Sequence, residues 1–468
     1  MLISISADSA NSKNIPTLLQ EMGYSIPCNC HGAHLCNGAR YPFDCAYIPK
    51  SPLTIDWNPQ SNAIHGLSLE TLSPEDGQGD TMLIDIGTTT IAFALISRMS
   101  GKLRQRSAIE NPQRRFGADV IARISASCGG KSQELQSILI QAIQSETTRL
   151  CNNNKQKKED ITSCYIGGNT TMIHLLMGYD CAPLSHSPFI VERHTPDSFI
   201  YQQCNVFISP WLSAFVGGDI CAGLYACHMW ETEATAILLD LGTNGEIVLS
   251  HNGVQYVTST AAGPAFEGGN LHCGCASVAG AISQVVLRRL QPKLTTIDNK
   301  LPIGLCGSGA ISVCAELLRK GFVTKDGVFT EQFPAEGLLL SLSAAGAKIV
   351  FTKDDFRNIQ LAVAAIAAGI DTLLHEAGIT SSDVSSLFLG GGFGFHIAAK
   401  DCRTLGLFSS LDYEAIQPLG NCCLQGLFRM ATEQLPLSIP RPVVPVNLAE
   451  HDYFQKQFLA HMHFPDSQ

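Results

Sequence analysis

The chain is predicted to be an α/β protein built from two comparable halves, on three observations. A strand–turn–strand signature, MLIDIGTTTIAFALI from Met82, returns about 155 residues later as AILLDLGTNGEIVLS (236–250). Apolar strands alternate with long helical patterns along most of the sequence. One of those patterns, QLAVAAIAAGIDTLLHEAG (360–378), is apolar almost all round and stops at Gly378, as a buried helix does.

In chain order, residues 1–57 read as a small cysteine-bearing unit ending in the strand-like LTIDW. Residues 58–80 are rich in Pro, Gly and acid and read as a linker. The two halves then span 81–225 and 226–468. The tail VVPVNLAEHDYFQKQFLAHMHFP (443–465) carries Phe454, Phe458 and Met462 at i, i+4 and i+8, which predicts an amphipathic helix packed on the second half.

The composition narrows the function. The chain has 468 residues, 45% hydrophobic and 15% charged, which is compact globular material rather than disorder. A net charge of −10, with no basic run longer than KQKK, argues against nucleic-acid binding. The polar start lacks the apolar core of a signal peptide, and LAVAAIAAGI (361–370) is about half of what a bilayer span needs. A soluble cytoplasmic protein without membrane association is expected.

Cysteine usage is unusual. There are 18 cysteines, and an even spread would place fewer than one in eighteen residues, yet 28–45 holds four. Cys28, Cys30, Cys36 and Cys45 therefore form a candidate metal-ligand set within PCNCHGAHLCNGARYPFDC (27–45). A disulfide framework fits a reducing cytosol poorly. The occupants left open are an iron–sulfur cluster, a structural Zn²⁺ held by thiolates, or no metal at all. The other fourteen lie mostly singly among apolar neighbours and read as buried small side chains.

The repeated turn has a physical use. Gly87 and Gly242 let the backbone approach a bulky anion, and the peptide N–H groups and side chains of Thr88, Thr89 and Thr90, or of Thr243 and Asn244, can ring phosphate oxygens. Asp85 and Asp240 end the preceding strands, where they can hold the hydrated Mg²⁺ of a nucleotide. One such turn is what an ordinary hairpin also uses; two copies in comparable halves point to a phosphate-binding site. SSLFLGGGFGFHI (385–397) runs a strand into Gly390, Gly391 and Gly392, allowing backbone contact with a flat ring or ribose. Between the loops, FVGGDICAGLYA (215–226) places Ala222, Gly223 and Ala226 for a close helix crossing, with Asp219 facing the cleft as a candidate base or water-positioning group. LPIGLCGSGAISVCAELLRKG (301–321) repeats strand, glycine turn and helix, so that Gly307 and Ser308 open either an anion site or a second crossing helix.

These five segments resemble the acetate and sugar kinase, chaperone and actin ATPase superfamily (ASKHA). The resemblance implies two ribonuclease-H-like lobes hinged around ATP, with 301–321 as the second connecting helix. NPQRRFGADVIARI (111–124), GGNTTMIHLLMGYD (167–180), STAAGPAFEGG (259–269), GLCGSG (304–309) and the 443–465 tail resemble one branch, the ATP-dependent reductive activators of corrinoid proteins. In those motifs Asp119 and Glu267 are either site residues or structural hydrogen-bonders. The resemblance implies a [2Fe–2S] ferredoxin-like domain at residues 1–57 and a corrinoid or other low-potential metalloprotein as partner. ATP would then drive an uphill one-electron transfer. Two departures stand out. Ala39 occupies the third ligand place, which Cys28 would have to fill unless a cluster is shared within a homodimer or the electron comes from an external donor. The family's middle domain also has only the short linker to occupy. Two other functions fit the same segments: a small-molecule kinase using Asp219 as base, and a nucleotide-gated partner-binding ATPase without redox chemistry of its own.

Overall fold

The computed structural model describes residues 79–466, apart from 99, 155, 190, 192–197, 243, 344–345, 392–396 and 414–415, together with two short strands nearer the start. Those strands, β1 (Leu2–Ile5) and β2 (Leu53–Asp56), pair antiparallel with Ile3 opposite Ile55. Residues Leu53–Asp56 of the LTIDW stretch are thus a strand. Cys28, Cys30, Cys36, Cys45 and residues 58–78 of the 58–80 linker lie outside the described residues, and so does the rest of the expected ferredoxin-like unit.

In the first half, β3 (Asp80–Ile86), β4 (Thr90–Ser97) and β5 (Leu103–Glu110) form an antiparallel meander. Helices α1 (Val120–Ala126) and α2 (Ser132–Asn153) follow, then β6 (Ile161–Gly168) and α3 (Thr170–Met177). β7 (Ser198–Tyr201) and β8 (Cys204–Ile208) complete a six-stranded sheet of order β5-β4-β3-β6-β8-β7. Period-two alternation gives this sheet two apolar faces. Met82, Ile84, Ile86 and Phe93 pack on Leu135 and Leu139 of α2, while Leu83, Ala92 and Ala94 face the opposite way.

After α4 (Gly218–Ala226), the same plan returns. β9 (Ala236–Leu241), β10 (Gly245–His251) and β11 (Val254–Thr260) make the second meander. β12 (Ala281–Arg288), β13 (Gln291–Thr296) and β14 (Gly304–Leu305) form a small added sheet, followed by α5 (Gly307–Arg319). The hairpin β15 (Leu338–Leu342) and β16 (Lys348–Phe351) leads into α6 (Lys353–Ala377), opened by a Thr352–Asp355 capping box and closed by left-handed Gly378. β17 (Ser386–Gly390), α7 (Ala399–Leu405), β18 (Ile416–Gly420), α8 (Cys422–Thr432), β19 (Val443–Pro445) and α9 (Asp452–His461) finish the half. Its sheet runs β18-β17-β9-β10-β11-β19, with β9, β17 and β18 parallel.

In both halves a three-strand antiparallel meander pairs in parallel with two later strands, which is the ribonuclease-H-like arrangement expected. Ile237, Leu239 and Leu241 face α6, whereas Leu238 and Val248 join the core that also holds Leu83, Ala92 and Ala94 of the first half. Helices α4 and α8 fill that shared core, contributing Ile220, Leu224, Leu424 and Leu427. α6 has the length and apolarity of a membrane span, but 78% of its apolar window is buried within the second half, as a core helix is. α9 packs on α6, where His461 Nε2 lies 2.7 Å from Asp371 Oδ2; Met462 sits just past its last turn.

One expectation is corrected. The helix that crosses α4 is α8, not the helix of 301–321. An ideal Cβ on Gly426 would lie 1.7 Å from the Ala222 carbonyl oxygen, so only glycine permits the approach. α5 instead packs within the second half on β12, α6 and α7. Its opening glycine serves contact with Phe266: a Cβ on Gly307 would fall 1.9 Å from that residue's carbonyl oxygen.

Candidate functional site

The ends of β3 and β9 point into one cleft of about 350 Å³ between the two halves, and both repeated hairpin turns line it. Gly87 N–H bonds the Thr90 carbonyl at 3.0 Å, and Gly242 N–H bonds the Asn244 carbonyl at 3.0 Å, so each turn folds back on itself. The second is one residue shorter, since Ile86 pairs with Ile91 but Leu241 with Gly245. Among the described residues, its chain neighbours aside, nothing lies closer than 3.8 Å to an ideal Cβ on Gly242, so no side chain stands in the way of an approaching anion there.

The first turn is braced from behind by residues of the 111–124 and 167–180 motifs. Asn111 donates from Nδ2 to the Gly87 carbonyl at 2.9 Å and from its backbone N–H to the Thr89 carbonyl at 2.9 Å. Arg123, fully buried, donates from Nη2 to the Thr88 carbonyl at 2.6 Å and from Nε to the Gly117 carbonyl at 3.0 Å. Burial, with the nearby Arg114 charge, brings its guanidinium down to about 10, so it remains a cation at neutral pH. Asn169 Nδ2 donates to Thr88 Oγ1 at 3.0 Å. With their carbonyls held behind, Thr88, Thr89 and Thr90 line the cleft.

Carboxylates from both lobes also line the cleft. Asp85, Asp219, Asp240 and Glu267 all line the cleft, as does Glu246. Glu246 pairs with Asp240 across the β9–β10 hairpin and therefore shares its face. Sequence reading passed over it. The signal was present in GEIVLS, an acid at an inward strand position two residues after Asn244. Burial, then the like charges of Asp85 and Asp240, pushes the Asp219 carboxyl up to about 8. Asp240 is pushed up to about 6 by burial, against a lowering bond from Cys422. Burial raises Asp85, opposed by bonds from Asn421 and Cys423, and burial with three acidic neighbours raises Glu246 well above the usual range. Such crowding of like charge calls for a cation. Among the described residues no three His, Cys, Asp or Glu side chains converge to grip a bare ion.

Gly391 joins the cleft from the end of β17 with φ +82°, and a Cβ there would sit 2.9 Å from Asp240 Oδ1. Gly390 is buried behind it, and an ideal Cβ on it would lie 3.2 Å from Asp240 Cγ. Thr243 and Gly392 lie outside the described residues. The structure does not bring Gly307 and Ser308 to the cleft: both are buried at the start of α5, Ser308 beside the Cys306 thiol. Asp119 is exposed and caps α1, accepting from Ala122 N–H at 2.8 Å, which is the structural alternative for that residue. Sequence reading also missed Asn421, Cys422 and Cys423, which line the cleft from the start of α8.

Two ribonuclease-H-like lobes that close paired Asp-x-Gly-Thr turns around one acidic cleft define an ASKHA-type nucleotide-binding protein. Comparison with known proteins narrows the class: the C-terminal ASKHA domain of RACo matches residues 234–468 and the RACo middle region matches 81–232. The chain belongs to the RACo family. This corrects the expected absence of a middle domain, since the first lobe is itself the part that matches the middle region. Corrinoid activation enzyme RamQ of Eubacterium limosum is 28% identical over 419 residues, covering 82% of this chain and 70% of RamQ. The Co(II) methylated amine-specific corrinoid protein reductase of Methanosarcina barkeri is 26% identical over 243 residues, 47% of this chain and 43% of the reductase. The solved structure of a reductive activator for corrinoid,iron-sulfur protein superposes with a TM-score of 0.74 at 24% identity, covering 99% of this chain and 79% of that one.

Proposed function

We propose that the protein is an ATP-dependent reductive activator of a corrinoid protein, in which ATP turnover in the cleft drives an uphill one-electron transfer to cobalt. The observation that carries the reading is the meeting of both Asp-x-Gly-Thr turns in one cleft, in a chain whose relatives are named for corrinoid activation. The peptides whose carbonyls are braced at Thr88 and Thr89 would supply N–H donors for phosphate oxygens, and Gly242, with no side chain, would let an anion approach the second turn. Asp85 and Asp240 would hold a Mg²⁺ through its water shell, since hydrated Mg²⁺ uses one or two carboxylates plus phosphate oxygens. That cation would neutralise phosphate charge and relieve the crowding among the acids. With that cation relieving the neighbouring charges, the Asp219 carboxyl would return toward its ionised form, in which it would orient the attacking water and take up its proton.

ATP can shift a redox equilibrium only by binding differently to the two states of the complex. The shared α4–α8 core gives a route for that difference, because it touches both sheets and the cleft. Cys28, Cys30, Cys36 and Cys45 are proposed ligands of a [2Fe–2S]-type cluster that would feed the electron, and no step above depends on it. Anaerobic iron analysis and a visible spectrum of the wild type against Cys30→Ala test that part. The ATPase part is tested by Mg²⁺-dependent phosphate release that rises when a Co(II) corrinoid protein is added. No release with or without partner would refute it.

A further inference from the structure

Three consecutive residues at the start of α8 reach one carboxylate of each lobe. Asn421 Nδ2 donates to Asp85 Oδ2 at 2.7 Å, while its Oδ1 caps the helix by accepting from Leu424 N–H at 2.7 Å. The Cys422 thiol donates to Asp240 Oδ2 at 3.2 Å, and the Cys423 thiol bonds Asp85. Both thiols occupy notches left by glycines. An ideal Cβ would come within 3.0 Å of Cys422 Sγ from Gly390, 3.1 Å from Gly223, and 2.5 Å of Cys423 Sγ from Gly167. Those glycines belong to β17 and α4 for the Cys422 sulfur and to β6 for the Cys423 sulfur, so three separate elements make room for the two thiols.

We infer that Asn421 and Cys422 are positioning residues of the nucleotide site: they hold Asp85 and Asp240 in register with each other from the crossing helix. The inference rests on the ATPase reading of the cleft. The two carboxylates stand on different lobes, and any relative movement of the lobes changes their separation. A helix that grips both fixes them at one spacing. Because α8 also packs on α4 at Gly426, a shift at the crossing is passed to the carboxylates through these side chains. A thiol suits the Asp240 contact because it is a donor that is also apolar enough for the small-residue crossing. Serine keeps the donor in a smaller side chain, and alanine keeps neither donor nor full volume.

The test compares full-length wild type, Cys422→Ala, Cys422→Ser and Asn421→Ser by steady-state ATPase at varied Mg²⁺ and ATP, with thermal unfolding alongside. Asn421→Ser keeps the helix cap and loses the reach to Asp85. Losing a hydrogen bond to a charged group predicts that Cys422→Ala and Asn421→Ser raise the half-saturating Mg²⁺ concentration by about tenfold or more. Cys422→Ser should restore most of that loss, although it fills the notch less well. Equal behaviour of the alanine and serine variants, whether both intact or both impaired, would overturn the positioning role of Cys422 in favour of packing alone. Should Cys422→Ala fail to fold, Cys422→Ser and Asn421→Ser still decide: the inference requires near wild-type Mg²⁺ dependence in the first and loss in the second. Wild type that neither binds nor hydrolyses ATP would instead remove the underlying reading, a distinct result.

Discussion

The two lobes carry the same hairpin and use it differently. In the first lobe the turn is braced: Asn111, Arg123 and Asn169 hold its carbonyls and a threonine hydroxyl from behind, so its peptide donors face the cleft in a fixed array. In the second lobe the turn is one residue shorter and sits among carboxylates, with Glu246 across the hairpin from Asp240 and Glu267 nearby. The first-lobe turn thus offers braced hydrogen-bond donors for an anion, while the second turn completes, with Asp85 and Asp219 of the first lobe, an acidic field for a cation. A duplicated element can be specialised by its surroundings while its backbone plan is kept.

Breaking the region common to both lobes should have the largest effect. Gly426→Ala forces a methyl against the Ala222 carbonyl and should destabilise the fold by about 3 kcal/mol or more, measured by chemical denaturation. Within the second lobe, Asp240→Asn should lower ATP turnover by about a hundredfold or more while leaving the melting temperature unchanged or higher, because it removes a crowded charge. Within the first lobe, Arg123→Met should act through stability instead. The loss of bonds to Thr88 and Gly117 should cost about 2–3 kcal/mol and weaken ATP binding without altering the Mg²⁺ requirement.

The acidic wall also predicts a pH response. Asp219 has its carboxyl raised from 3.8 to about 8, so it holds its proton more tightly in the folded chain than in the unfolded one. Its contribution is complete below the unfolded value and is lost as pH rises through the folded one. Nucleotide-free protein should lose about 1–3 kcal/mol between roughly pH 5 and pH 9 that Asp219→Asn does not lose. Equal slopes for the two proteins would show that the carboxyl is not crowded. The smallest effect belongs to Asp119→Ala: loss of the α1 cap should cost about 1 kcal/mol with ATP turnover unchanged.

Much of this architecture was legible in the sequence. Each hairpin announces itself locally, through a buried strand that ends in Asp and a turn of Gly and Thr. Gly378 likewise marks the end of α6 by its own conformation. What escaped depends on contacts distant in sequence. Asn421 meets Asp85 across 336 positions, and nothing in NCCLQG states that its helix will cross α4. The glycines of 304–309 look equally suited to a crossing, but Gly307 accommodates Phe266, Gly304 accommodates Cys273 and Cys275, and Gly309 accommodates Ile282. Glu246 could have been inferred from hairpin register, because a three-residue turn after Leu241 places it opposite Asp240. The Asp-x-Gly-Thr signature of the first lobe repeats that of the second and so reads as ATPase alone, whereas the family match shows residues 81–232 as the middle region.

The central claim is that ATP bound between the lobes drives cobalt reduction. The most direct measurement follows the Co(II) and Co(I) spectra of a corrinoid protein under anaerobic conditions, with a low-potential reductant and this protein, with and without Mg²⁺ and ATP. The account predicts that Co(I) accumulates only when Mg²⁺ and ATP are present with wild-type protein, and not with Asp240→Asn. Co(I) appearing at the same rate and to the same extent without ATP, or with the Asp240→Asn variant, would contradict it.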